Sequence, residues 1–130
     1  MKKRALAAAL SLLAAPAFAD PVEGIWQTRP DDNGNYGHVR FAACGAKICG
    51  TLVRAFDGQD QPVESPNIGR QIVWDMEPQG EGQYGNGKIW APDRDKTYRS
   101  KMALSGNTLA VSGCVLGGAI CRDQQWTRAN

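Results

Sequence analysis

Past residue 20 the apolar positions recur every second residue, and no long run keeps the three-to-four spacing of a helix. Val39, Phe41 and Ala43 alternate with His38, Arg40 and Ala42, the signature of a strand with one buried face. Segments of this kind are predicted at 22–28, 38–43, 48–56, 70–76, 87–91, 96–104, 108–114 and 120–128. Turn chemistry separates them. Residues 29–35 (Arg-Pro-Asp-Asp-Asn-Gly-Asn), the loop 57–67 with Pro62 and Pro66, the glycine-rich stretch 77–86 and Ser105-Gly106-Asn107 all read as connections. The stretch from Gly87 to Tyr98 shows the plan most clearly. Ile89 and Trp90 favour a pleated backbone, Ala91-Pro92-Asp93-Arg94 carries Pro at the second turn position, Asp95 tolerates left-handed angles, and Thr97 and Tyr98 resume the strand.

About eight short strands in one small domain suit an all-β, antiparallel, up-and-down barrel better than an open sheet, because closure leaves no unpaired edge. On the period-two count Tyr98, Ser100, Met102 and Leu104 share one face, expected to point inward, and Thr97, Arg99, Lys101 and Ala103 share the other.

Four cysteines, Cys44, Cys49, Cys114 and Cys121, allow three pairings. With Gly117-Gly118 as a two-residue turn, Val115 faces Ile120 and Cys114 falls opposite Cys121. The same count about Ala46-Lys47 sets Cys44 opposite Cys49. Two local clasps, Cys44–Cys49 and Cys114–Cys121, are therefore expected. A zinc site is the competing use of four cysteines, but no His is matched to them.

The first residues differ from the rest. Met1-Lys2-Lys3-Arg4 precedes an Ala/Leu-rich run too short to cross a bilayer, followed by Ala17-Phe18-Ala19. Residues 1–19 read as a cleaved Sec-type signal peptide, leaving 20–130 as one domain, periplasmic or secreted. Asp20 rather than Cys follows the cleavage site, so a lipoprotein is not expected. The full chain has 15 Lys/Arg, 13 Asp/Glu and a formal charge of +2. Loss of Lys2, Lys3 and Arg4 leaves 15 − 3 = 12 cations against 13 acids, which removes the electrostatic case for nucleic acid. No membrane span and a monomer are expected for the mature chain.

Candidate chemistry is sparse. His38 is the only histidine and is expected on an exposed strand face. Turn formation accounts for Asp93 and Asp95, and Asp57, Asp60 and Glu64 lack the spacing of a calcium loop. Neither a nucleophile elbow nor a phosphate loop nor a zinc-protease motif occurs, so no enzyme, metal or cofactor is expected. Aromatic side chains are the distinctive feature. Core packing is the plain use of each, while Trp74, Trp90 and Tyr98, with Arg70 for an anionic end, are the expected lining of a site for a small apolar or amphipathic molecule. The alternative is an interaction module, for instance an inhibitor of an exported hydrolase, with an envelope protein as partner.

Gly24-Ile25-Trp26 opens the first strand and Trp126-Thr127-Arg128 closes the last, so a closed barrel would set Arg128 against Trp26. This Gly-x-Trp start with a late Arg resembles the lipocalin-like barrels. Together with Cys44-Gly45 and Cys49-Gly50, the Asp/Pro-rich loop 60–67, Gly87-Lys88-Ile89 with Pro92, and Lys96-x-Tyr98, the chain resembles domain-of-unknown-function family 2147 over roughly 22–128. The resemblance implies a small exported bacterial protein with a lipocalin-like barrel and no established activity. Ala91 stands where that pattern has Asp, and Asp95 where it has Gly.

Overall fold

The computed structural model describes residues 19–130. The signal peptide assigned to 1–19 lies almost wholly outside the described residues. Among the described residues nine strands form: β1 (Gly24–Gln27), β2 (Tyr36–Cys44), β3 (Lys47–Phe56), β4 (Pro62–Val63), β5 (Gln71–Gly80), β6 (Gln83–Ala91), β7 (Lys96–Ser105), β8 (Thr108–Val115) and β9 (Ile120–Arg128). All but β4 close into one antiparallel barrel in the order β1-β2-β3-β5-β6-β7-β8-β9, with β9 returning to β1. β4 is a two-residue ribbon added to β3 inside the stretch expected to be a plain loop. Among the described residues no helix is long and apolar enough to cross a membrane.

The strand segments agree with the period-two reading except at 77–86. That stretch is not a long connection. β5 and β6 run through it as a hairpin whose turn is only Glu81-Gly82, with Gly80 paired to Gln83. Gly80, Glu81 and Gly82 make that turn with positive φ, while Asn86 inside the stretch and Asp75 just before it take positive φ (58° and 57°) within the strands, and the register slips beside both.

Both disulfides form, Cys44–Cys49 and Cys114–Cys121. The second sits as counted, with Cys114 opposite Cys121 and Val115 opposite Ile120. The first does not. Cys44 faces Lys47, and Ala42 faces Cys49, so the bond runs diagonally across the hairpin. The turn is Gly45-Ala46 because Gly45 supplies the left-handed angle (φ 63°) that a two-residue turn requires, which moves the turn by one residue and the partner of Cys44 by two.

One end of the barrel is shut. Val22 and Trp26 are completely buried, and Met76, Tyr84, Met102, Leu109 and Trp126 join them in the core. The Asp20–Glu23 segment lies across this end, where Tyr84 donates its hydroxyl hydrogen to the Asp20 carboxylate and Trp26 Nε1 donates to Val22 O at 2.8 Å. Arg128 ties the closure together: it lies over the Trp26 ring at 4.3 Å and donates to Glu23 O (3.1 Å) and Pro21 O (2.8 Å). Trp26 and Arg128 are also register partners, while Gly24 faces Phe41 and Trp126 faces Leu109. Burial and a carboxylate acceptor together push the Tyr84 hydroxyl well above the ordinary phenol range.

Candidate functional site

The opposite end is formed by the 91–96 and 115–120 turns and the loops before β2 and after β3. Here β1 meets β9 through only Trp26↔Arg128 and Gln27↔Thr127. Among the described residues, the Ile120–Gln125 part of β9 has a strand partner on its β8 side alone. Arg122 faces Gly113 and Gln124 faces Val111, which puts both on the inner face, yet both are exposed. The inner-face positions of β9 therefore reach solvent at this end.

Two cross-strand rows line the inner face as it approaches the opening. Phe41, Gly50, Val73, Ile89 and Tyr98 are successive register partners, and so are Gly87, Ser100, Gly113 and Arg122. The inward face expected for β7 is the observed one, with Ser100 and Met102 buried and Arg99 and Lys101 exposed. The glycines do not all leave space. A Cβ on Gly50 would meet Phe41 Cε1 at 2.8 Å, and one on Gly87 would meet Met76 Cε at 2.7 Å, so these positions are already filled by neighbours. Gly113 is different, since a Cβ there would make only ordinary contacts with Tyr98 and Ile89, at 3.7 Å and beyond. Beside it Ser100, 4 % exposed, has a hydroxyl without a hydrogen-bond partner among the described residues.

The four residues expected to line a ligand site divide. Arg70 and Trp90 come together, with the guanidinium carbon 3.3 Å from the ring centroid, and Trp90 Nε1 donates to Asp95 Oδ1 at 2.8 Å. The turn reading had given Asp95 a backbone role only, and its carboxylate also fixes the indole. Tyr98 faces Ile89 on the inner face of the adjoining strand, and its nearness raises the pKa of the Arg94 guanidinium. Tyr98 and Trp74 lie on opposite faces. The register partner of Trp74 is Lys88, whose neighbour Ile89 faces inward, so Trp74 belongs to the outer wall, the face that also carries Trp90 as partner of Thr97. The register slip around Ile72 explains the miss, because Ile72 and Val73 are both buried and the alternation restarts one residue out of step.

His38 is half-buried rather than exposed, its ring centroid 4.7 Å from that of Phe56, while Tyr36 stacks on Phe56 at 4.9 Å. Its Nε2 lies 3.3 Å from Gln27 Oε1. Burial, reinforced by the nearby Arg54 charge, lowers its pKa. This aromatic trio was missed because its register depends on a bulge between His38 and Val39. Among the described residues, no three His, Cys, Asp or Glu side chains gather as metal ligands.

A family described as "Uncharacterized protein conserved in bacteria (DUF2147)" matches residues 24–128. No curated protein matches the chain. A solved structure described as protein HP1028 from the human pathogen Helicobacter pylori, which belongs to the lipocalin family, is 20 % identical with a TM-score of 0.67. The match covers 84 % of this chain and 83 % of that one, and it shows a shared fold.

Proposed function

The chain belongs to the DUF2147 family of uncharacterized bacterial proteins, and on that premise we propose an exported, non-enzymatic binding protein that takes a small apolar or amphipathic molecule at the open end of its barrel. The observation that carries this reading is Arg70 lying flat on Trp90 at the rim, with no carboxylate within ion-pair distance among the described residues. A guanidinium fixed by an aromatic face keeps its in-plane N–H donors free for a carboxylate or phosphate. Ile89 and Tyr98, on the inner face of the same two strands, supply apolar surface next to it, and the unpartnered Ser100 hydroxyl lies deeper on that face. Pocket sites combine apolar walls with a few fixed polar groups in this way. The lipocalin-like fold and the two disulfides, which persist in an oxidising compartment, support an extracytoplasmic ligand carrier.

One observation favours the alternative, an interaction module. The turn after β8 presents Val115, Leu116 and Ile120 to solvent, with Leu116 73 % exposed and held at φ 54°. Native mass spectrometry of mature protein from its own periplasm separates the two readings, together with tryptophan fluorescence during titration with oleate and with a neutral long-chain alcohol. Ligand binding predicts a retained small-molecule adduct, and a response to oleate that Arg70→Ala weakens more than the response to the alcohol. Absence of both, with one protein recovered at stoichiometric level, would establish the interaction reading instead.

A further inference from the structure

The outer wall carries a second constellation. Register sets Trp74, Lys88, Arg99, Cys114 and Cys121 side by side on five successive strands, on the face opposite Val73, Ile89, Ser100 and Gly113. Lys101, two residues from Arg99, lies on the same face. Cross-strand neighbours stand about 5 Å apart and alternate residues of one strand about 7 Å, so three cations occupy a single small patch. The patch is concave: a groove of about 330 Å³ is lined by Lys88, Arg99, Ser100, Lys101, Asn86 and the Cys114–Cys121 disulfide, with Trp74, the register partner of Lys88, outside that lining. None of the three cations has a carboxylate within 4 Å among the described residues, where the ion pair found is Lys47–Glu77 at 3.5 Å. Two carboxylates border the patch and are already engaged: Glu77 accepts from Asn86 at 3.1 Å and pairs with Lys47, and Asp123 accepts from Ser112.

We propose that this groove is a binding site for an acidic saccharide, in which Lys88, Arg99 and Lys101 hold the carboxylate and the half-buried Trp74, beside Lys88 at the groove's edge, receives the sugar ring. Arg70 and Trp90 do not line it, and Trp90 lies two residues from Lys88 on the same outer face. The cations supply charge-assisted hydrogen bonds to the anion. The aromatic at the end of the row distinguishes a sugar acid from a bare anion, because a ring of C–H groups packs on an indole face. An acidic peptide fits less well. β6, β7 and β8 are each paired on both sides, so the groove offers few free main-chain groups to an extended chain.

The test is calorimetric titration of mature protein (20–130) with trigalacturonate, a neutral trisaccharide, a poly-Glu peptide and a single-stranded oligonucleotide. The expected result is trigalacturonate binding that weakens as salt is raised and exceeds that of the other three probes. It should fall about tenfold or more in Lys88→Gln/Arg99→Gln/Lys101→Gln and fall separately in Trp74→Ala. Arg40→Ala, which removes an exposed cation from β2, should leave it unchanged. Circular dichroism on each variant checks folding, and Trp74→Phe, which keeps an aromatic face, should retain most of the affinity. The proposal is overturned by any of three results: no trigalacturonate binding at millimolar concentration, equal binding of poly-Glu or the oligonucleotide with no dependence on Trp74, or equal loss in Arg40→Ala.

Discussion

If the barrel is closed through Trp26 and Arg128, the two residues must depart from additivity when both are removed. Trp26 is fully buried, makes a hydrogen bond to Val22 O, and pairs with both Val39 and Arg128, so Trp26→Ala should cost about 3–5 kcal/mol. Arg128→Ala removes a stacked guanidinium and two hydrogen bonds to main-chain carbonyls, one of them exposed. About 2 kcal/mol is expected, since the freed carbonyls of Pro21 and Glu23 can turn to water. The shared part is the stacking, so the double variant should be less destabilised than the sum by about 0.5–2 kcal/mol. Arg128→Lys should fall between wild type and alanine, because an ammonium keeps the charge but not the planar face. Urea unfolding followed by tryptophan fluorescence measures all four proteins, with the slope checked for constancy. A coupling below about 0.3 kcal/mol would refute the closure argument, because independent sites add within that margin.

Other consequences are as direct. Gly50→Ala drives a methyl group into Phe41 and Val39, at 2.8 Å and 3.0 Å, and should destabilise by about 1–3 kcal/mol in the same urea assay. Phe41→Leu should recover part of that loss, and no recovery would mean the clash lies elsewhere. Replacing Cys114 and Cys121 by Ser opens a short loop and should cost about 2.5 kcal/mol in the chain-entropy account, while peptide mapping of unreduced wild type should yield no peptide linking the two hairpins. His38 gives the pH dependence. Its pKa is lowered by burial and then by Arg54, so the folded state resists protonation more than the unfolded chain. This contribution is neutral above the unfolded value of 6.5 and destabilises as pH falls from there through the folded midpoint. As the only histidine, it yields one imidazole titration by NMR, which should have its midpoint below 6.5, and His38→Gln should flatten stability between pH 7 and that midpoint.

What the amino-acid order determined by itself is local and periodic. Alternation in 96–104 was enough to place Ser100 and Met102 inside and Arg99 and Lys101 outside, because side chains must alternate across a pleated strand. Gly117-Gly118 set the register that brings Cys114 to Cys121. The Gly-x-Trp start and late Arg pointed to a barrel whose ends meet, and they do. Tertiary structure decided everything that depends on a residue out of step. The slip beside Ile72 sets Trp74 on the outer wall, the face that Lys88 and Trp90 also occupy, while Ile89 and Tyr98 face inward. Positive φ at Asp75 and Asn86 lets two strands run through a segment whose composition reads as a turn. Gly45 moved the first hairpin by one residue and made its disulfide diagonal. The meeting of Arg70 with Trp90, and of Lys88 with Arg99 and Lys101, likewise exists only once the register is set. A period of two carries no record of where it is interrupted, and each interruption exchanges inside for outside until the next.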